Sequence, residues 1–459
     1  KEPKPLKIVI VGAGDVGFNI ASHLALEDKD VVVIDIDPDA IRRVSDNLDV
    51  RVINGSGSSP VILEEAGIKG AEILLAVTDS DETNLVACLV ASIISPVTKK
   101  LARIRGAGYD GFHDMFREHA PNIDAIINPE IEVVKTIDKL MTIPGAVDVG
   151  EFADGLVKFV GIRLDPSTRL DGVRLSDISA TIGQQAPLIA AIVRNEELII
   201  PGGNDKLRAG DLVYFISEAD KLLKALSVFD KHAEPIRRAL IVGGGRIGFR
   251  LASLLEERSV YTKIVEKDAS CCTELAEKLN KTVVLHGDGS DLELLRQENV
   301  QDMDVVITLT NDEETNIISS LMAKRMGVLK TITRISKLSY FPLMSMIGLE
   351  QVVSPRHSAI NTILQHIRRG KVLSAISIKD HQAEVMEAVA METSDIVGKP
   401  LKRVSLPPGV LVACIIHKDE IIIPTGESVI KPDDRIIIFA SRKAIPKIEK
   451  ILAVRLEYF

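Results

Sequence analysis

Lys7-Ile-Val-Ile-Val-Gly-Ala-Gly-Asp-Val-Gly17 is the stretch whose reading decides the fold. Lys7 to Val11 is a short run of β-branched residues without alternation, the pattern of a strand buried on both faces. A glycine turn follows, then the helical pattern of Val16 to Leu26. Strand, G-x-G-x-x-G and helix in that order form a dinucleotide fingerprint: Gly12 makes the tight turn, Gly14 lets backbone N–H groups approach a pyrophosphate, and Gly17 lets the helix pack on the strand. The helix N-terminus adds partial positive charge for the anion. The same string recurs as Arg238-Ala-Leu-Ile-Val-Gly-Gly-Gly-Arg-Ile-Gly248. In each copy an acid, Asp35 or Glu266, stands 18 residues after the last glycine at a strand end. A carboxylate there accepts hydrogen bonds from ribose hydroxyls and repels a 2′-phosphate, which favours NAD(H) or ATP/ADP over NADP.

Outward from the fingerprints the chain contains itself twice. Gly55-Ser-Gly-Ser58 returns as Gly287-Asp-Gly-Ser290, and Thr78-Asp-Ser-Asp-Glu-Thr-Asn84 as Thr310-Asn-Asp-Glu-Glu-Thr-Asn316. Arg103 returns as Arg334. A second module repeats as well: Leu198-Ile-Ile-Pro-Gly-Gly203 matches Ile421-Ile-Ile-Pro-Thr-Gly426, and Gly210-Asp-Leu-Val-Tyr-Phe215 matches Asp433-Asp-Arg-Ile-Ile-Ile438. The order is therefore A–B–A–B.

Module A continues with strands at Val31–Ile34, Val50–Ile53, Ile73–Val77 and Lys100–Ile104, separated by helices. That alternation predicts an α/β fold with a doubly wound parallel sheet. Module B has short strands with Gly and Pro turns and a closing helix, and reads as a small, mostly antiparallel α+β unit. Helices predicted at Ile131–Met141 and His357–Arg369 are candidate couplers, with Pro144-Gly145 and Gly370 as linkers. The expected boundaries are 6–128 and 236–354 for the Rossmann-like domains, 129–145 and 355–371 for the coupling helices, and 146–230 and 372–457 for the small domains.

Composition narrows the function. The 459 residues suit about three to four domains. Aromatics are 3% with no Trp, against single-stranded nucleic-acid binding, and the net charge of -9 opposes a general DNA binder or polybasic membrane anchor. Four Cys fit a reducing compartment, and Cys271-Cys272 has no partner at metal-ligand spacing. No apolar run reaches the roughly 20 residues that span a bilayer, so a cytoplasmic location is expected. No P-loop lysine, H-E-x-x-H or G-x-S-x-G is present. Module B offers no acid–base cluster: His232 lies in a linker, His381 and His417 in turn-like segments. Sensing therefore fits better than turnover.

The strand ends supply further candidates, each with a plain structural alternative. Gly55-Ser56-Gly57 and Gly287-Asp288-Gly289 can border a base or ribose, or be ordinary loops. Thr78-Asp79 and Thr310-Asn311 can touch a nucleotide or simply start helices. Arg103 and Arg334 can pair with phosphate or with a carboxylate. The two phosphate turns differ: Asp15 puts a carboxylate beside any polyphosphate unless it points away, whereas Arg246 suits a more anionic ligand.

Together these residues, with Ala76-Val77 before the first Thr motif and Ala323-Lys-Arg-Met-Gly327 after the second, resemble the tandem RCK (or KTN) regulatory subunits of bacterial Trk potassium uptake systems, over essentially the whole chain. The resemblance implies RCK nucleotide-binding domains each followed by an RCK C-terminal domain, and a non-enzymatic subunit. It further implies a homotetrameric ring, peripheral on the inner face of the plasma membrane, that gates a potassium-translocating subunit of the TrkH or TrkG type in response to NAD(H) and ATP/ADP. Carried over by motif, the first site comprises Gly12, Ala13, Gly14, Asp15, Val16, Asp35, Ser56, Gly57, Thr78, Asp79 and Arg103. The second comprises Gly243, Gly244, Gly245, Arg246, Ile247, Glu266, Asp288 and Thr310. Asp15 and Arg246 stand where the family carries neutral amides, and Asp433 replaces the turn glycine kept at Gly210. The competing readings are a duplicated NAD-dependent dehydrogenase and a nucleotide-sensing subunit of another cation transporter.

Overall fold

The computed structural model describes residues 6–27, 29–183, 186–232, 235–337, 340–367, 372–378, 382–418 and 420–452. Arg369, Gly370, His381 and the expected domain end at 457 lie outside the described residues.

The first Rossmann domain contains strands β1 (Lys7–Val11), β2 (Asp30–Asp35), β3 (Arg51–Asn54), β4 (Ile73–Ala76), β5 (Lys99–Arg103) and β6 (Ala125–Ile127). Between and after them run helices α1 (Asp15–Ala25), α2 (Pro38–Asn47), α3 (Pro60–Glu65), α4 (Asp81–Ile94), α5 (His113–Glu118) and α6 (Pro129–Thr142). The sheet order is β3-β2-β1-β4-β5-β6, all parallel. The order reverses between β1 and β4, the switch point at which such sheets take ligands. Ile8, Val9, Ile10 and Val11 are all but fully buried, as a central strand covered on both faces must be.

The first small domain follows: β7 (Ala146–Phe152), β8 (Val157–Arg163), α7 (Ile178–Ile182), β9 (Leu188–Arg194), β10 (Glu197–Ile199), β11 (Leu212–Glu218) and α8 (Leu222–Val228). Its sheet, β10-β9-β11-β8-β7, is antiparallel. The sequence reading missed β7 and β8, because Asp148, Gly150 and Glu151 interrupt the apolar pattern of β7.

The second Rossmann domain repeats the first with β12 (Arg238–Val242), α9 (Arg246–Glu257), β13 (Tyr261–Glu266), α10 (Ala269–Lys278), β14 (Val283–His286), α11 (Leu292–Gln297), β15 (Val305–Thr308), α12 (Glu313–Arg325), β16 (Lys330–Arg334), α13 (Phe341–Met346), β17 (Gln351–Val353) and α14 (Pro355–Ile367). Its order is β14-β13-β12-β15-β16-β17. The last domain has β18 (Val372–Ile378), β19 (Ala383–Val389), β20 (Val410–His417), β21 (Glu420–Ile422), β22 (Arg435–Ser441) and α15 (Ile445–Leu452), with sheet order β18-β19-β22-β20-β21. The Gly210 turn survives its replacement: Asp433 takes φ +65 where Gly210 has +82. Asp434 and Asp211 each accept from a backbone N–H three residues back, both at 2.8 Å.

The chain divides into two compact units that do not follow its two halves. One gathers the chain up to Glu132 with α14; the other holds Val133 onward through β17 and the last domain. In the first, Ala359, Ile360, Ile363, Leu364 and Ile367 form the buried stripe of α14 and share a core with Ile8, Ile10, Ile20 and Leu24. Lys99 Nζ closes the far end of α14 on the His366 carbonyl at 2.8 Å. In the second, Val133, Val134, Ile137, Leu140 and Met141 of α6 share a core with Ala239, Ile241 and Leu251. Arg258 Nη2 holds Asp138 at 2.8 Å. Each coupling helix thus packs on the Rossmann sheet of the other half. Within the second unit the two small sheets also share a core, including Phe159, Tyr214, Val385 and Phe439.

Candidate functional site

The glycines of the two phosphate turns separate into those the fold needs and those it does not. Gly12 has φ +110, and a Cβ there would meet Thr78 N at 2.9 Å. A Cβ on Gly17 would lie 1.8 Å from the Gly12 carbonyl oxygen. Gly243 (φ +106, 2.8 Å from Thr310 N) and Gly248 (2.1 Å from the Gly243 oxygen) repeat this. Gly14 and Gly245 are different: each has φ −61, open to any residue, and a Cβ on either meets nothing within 4 Å. They cap α1 and α9 with no side-chain hydrogen bond. By contrast α2, α4, α10, α11 and α12 are capped by Asp37, Ser80, Asp268, Asp291 and Asp312. The fingerprint helices therefore present backbone donors beside a space that packing does not fill.

The ribose-position acids brace these turns. Asp35 accepts from the backbone N–H of Ala13 at 2.5 Å and of Asp37 at 2.8 Å. Glu266 accepts from Gly244 at 2.7 Å and Asp268 at 2.8 Å. Ionised carboxylates have about four lone-pair sites, so each retains capacity for a ribose hydroxyl. Val16 and Ile247 are buried, which leaves their backbone and not their side chains to serve a ligand.

Asp15 does not confront the turn as a bare charge. Arg43 approaches it at 3.3 Å, and Arg356 from α14 donates to it at 2.5 Å. Arg43 also donates to the Ala13 carbonyl at 2.9 Å and lies over the Phe18 ring, 4.8 Å from its centroid. Sequence reasoning missed both arginines. Arg43 sits on a helix face with no motif around it, and Arg356 is distant in sequence.

The other strand-end residues are engaged within the protein. A Cβ on Gly57 or Gly289 would strike the Val11 or Val242 side chain at 2.0 or 2.1 Å, so these glycines serve packing. Ser56 shares a hydrogen bond with Ser58 at 2.8 Å. Asp288 is held by Ser290 and by Lys267 at 2.9 Å, which pull its carboxyl down to about 2. Thr78 and Thr310 donate backbone and hydroxyl hydrogens to Asn84 and Asn316. Arg103 pairs with Asp79 at 2.9 Å while its Nε is buried without a partner. Burial, reinforced by Arg105, pushes this guanidinium below its ordinary value, and Asp79 acts the other way. Arg334 donates to Asn311 at 3.0 Å and to the Leu309 carbonyl.

Elsewhere, Cys271 and Cys272 donate to the Gly244 and Glu266 carbonyls at 3.5 and 3.4 Å, and burial followed by the Glu266 charge raises both thiols. His417 is bound to Asp434 at 2.6 Å as part of the B-module turn. A cleft of ≈ 830 Å³ opens at the amino ends of β15 and β16, away from the fingerprint. Its arginines are occupied by protein carboxylates, Arg258 by Asp138 and Arg163 by Glu350. Among the described residues no His, Cys, Asp or Glu group gathers as a metal site.

The TrkA-N domain family matches residues 8–129 and 239–355, and the TrkA-C domain family matches 159–230 and 385–453. The chain is 37% identical to the Trk system potassium uptake protein TrkA of Azorhizobium caulinodans over 99% of this chain and 100% of the relative. It is also 37% identical to the protein of that name in Halomonas elongata, again over 99% and 100%. Among solved structures it shares a fold with the GsuK RCK domain at a TM-score of 0.60 and 18% identity, covering 99% of this chain and 96% of that one. The GsuK channel bound to NAD gives the same score and identity over 99% and 80%. With paired N and C domains in tandem and relatives matched from end to end, the chain belongs to the TrkA family of Trk-system potassium uptake proteins.

Proposed function

We propose that this chain is a regulatory subunit of potassium uptake that binds NAD(H) and ATP/ADP at its two fingerprints. Occupancy then sets flux through a membrane subunit of the TrkH or TrkG type. The observation that carries the nucleotide reading is the pair Gly14 and Gly245, whose missing side chains neither backbone conformation nor packing requires. A ligand approaching the uncapped helix ends requires both. The acids Asp35 and Glu266, at the carboxyl ends of β2 and β13, favour an unphosphorylated ribose.

Regulation follows by linkage: a nucleotide that prefers one arrangement of the chain shifts the population by its differential affinity. The coupling helices supply the connection, since each leaves one Rossmann domain and packs on the sheet of the other. Assembly into a ring of four is supported by exposed apolar residues that recur at equivalent positions. Val86, Leu89 and Val97 on and after α4 correspond to Ile318, Leu321 and Leu329 on and after α12, and Phe112 and Met115 to Leu343 and Met346. Apolar residues that stay exposed at equivalent positions in both copies fit contact faces of such an assembly. No helix among the described residues is long and apolar enough to cross a membrane, which supports a peripheral place beside a separate pore.

The test is calorimetric titration of the purified chain with NADH, NAD, ATP and ADP, followed by flux through the partner in vesicles. Saturable binding without consumption, near two nucleotides per chain, is the expected result. Disabling both fingerprints together, by Gly14→Asp with Gly245→Asp, is expected to abolish nucleotide control. Control that survives both substitutions overturns the reading, and steady NADH oxidation replaces it with a dehydrogenase.

A further inference from the structure

We infer that Arg356, from the helix that closes the second Rossmann domain in sequence, is a phosphate-binding residue of the first nucleotide site. The inference rests on the nucleotide reading above and adds the residue that completes that site.

Arg356 stands in the first turn of α14, and its Nη2 donates to Asp15 Oδ2 at 2.5 Å. Asp15 opens α1 directly after Gly14, so this guanidinium lies at the turn where a diphosphate meets the helix amides. Arg43 holds the other Asp15 oxygen at 3.3 Å. Two guanidinium groups thus flank the Asp15 carboxylate, while the second carboxylate at the turn, Asp35, is engaged by the Ala13 N–H at 2.5 Å. The Arg356 and Asp15 side chains remain 28% and 48% exposed, so solvent and solutes reach the pair. A guanidinium carries five N–H donors in a planar fork, and one of those of Arg356 serves Asp15. The fork geometry suits phosphate oxygens in the way it suits carboxylates.

Arg356 is also held in place. The stripe Ala359, Ile360, Ile363, Leu364 and Ile367 fixes α14 in the core of the first Rossmann domain, and Lys99 anchors its far end. An arginine mounted on an anchored helix loses less freedom on binding than one on a loop. Asp15 keeps it at the turn without ligand. With ligand the phosphate takes further donors of the fork, and the carboxylate, balanced by Arg43, no longer repels the anion. The duplicated half carries the opposite charges at the equivalent positions, Arg246 and Glu130. The first site thus takes its cation from the coupling helix, whereas the second carries its cation in the phosphate turn itself.

The experiment uses the full chain carrying Gly245→Asp, which places a carboxylate at the second helix end and confines binding to the first site. ADP and adenosine are titrated by calorimetry against this parent, against Arg356→Ala and Arg356→Lys, and against each of these with Asp15→Asn. A lost charge-assisted hydrogen bond predicts a rise in the ADP Kd of roughly ten-fold or more for Arg356→Ala, with Arg356→Lys between. Adenosine, which lacks phosphate, is expected to bind all variants alike. The ADP loss is expected to persist in the Asp15→Asn background. An ADP Kd unmoved by Arg356→Ala overturns the inference. So does a loss that vanishes with Asp15→Asn, which reduces Arg356 to a counter-charge, and so does an equal weakening of adenosine, which reports a damaged fold. A parent that binds neither probe overturns the nucleotide reading of this site and the inference with it.

Discussion

Asn84 clasps Thr78: its Oδ1 accepts from the Thr78 backbone N–H at 2.9 Å and from the Thr78 hydroxyl at 2.7 Å, while its Nδ2 donates to the Arg103 carbonyl at 2.8 Å. The side chain is fully buried. It joins the ends of β4 and β5 across the start of α4. Asn316 does the same for Thr310 and the Arg334 carbonyl. The repeated Thr…Asn motif is therefore first a device that fixes two strand ends at the fingerprint.

Asn84→Ala is expected to destabilise the first Rossmann domain by about 2–3 kcal/mol, because it takes the partner from the part-buried Thr78 N–H and from the buried Arg103 carbonyl. Scanning calorimetry checks this. The transition of that domain falls by several degrees, and an unchanged profile contradicts the clasp.

Gly14→Ala and Gly17→Ala should part company. The first adds a methyl group to open space at an ordinary φ and is expected to leave stability unchanged or slightly raised while weakening nucleotide binding. The second drives a methyl group to 1.8 Å from the Gly12 carbonyl and is expected to disrupt the domain. Circular dichroism melts beside ADP titrations separate the two. A Gly14→Ala protein that binds normally removes the main support for the site.

Val97→Glu with Leu329→Glu tests the repeated apolar faces. The two residues occupy equivalent positions and are 91% and 80% exposed in the single chain, so the substitutions cost little folding stability. Sedimentation velocity is expected to show smaller species than the parent at equal concentration. An unchanged distribution assigns assembly to other faces.

His357 makes the seat of α14 acid-sensitive. Desolvation pushes its ring from 6.5 down to about 4. Below pH 6.5 the unfolded chain takes up a proton that the folded ring refuses until about pH 4. The neutral ring's contribution is therefore complete above pH 6.5 and is lost as pH falls toward 4, by up to roughly 3 kcal/mol. In urea melts across this range, His357→Gln should flatten the acid limb relative to the parent. Parallel limbs in the two proteins contradict it.

Much of this molecule is decided locally and can be read from one dimension. A strand buried on both faces shows as an unbroken β-branched run, so Lys7–Val11 and Arg238–Val242 announce central parallel strands. A turn with φ above +100 admits only glycine, so Gly12 and Gly243 mark the phosphate turns. An acid at the end of the second strand reaches the turn because the parallel register puts it there, as Asp35 and Glu266 do. Duplication doubles every such signal and exposes the A–B–A–B order.

What the tertiary structure alone decides is which core receives each amphipathic helix. The stripes at Val133–Met141 and Ala359–Ile367 specify an apolar face and nothing about its destination, since burial is non-directional and any matching surface satisfies it. Each helix in fact packs on the other half's sheet. That exchange brings Arg356 to Asp15 across 341 positions, turning a carboxylate that looked hostile to phosphate into half of an ion pair. Local spacing carries no record of such a meeting, because it depends on shape and charge matching between segments that touch only when the chain is folded.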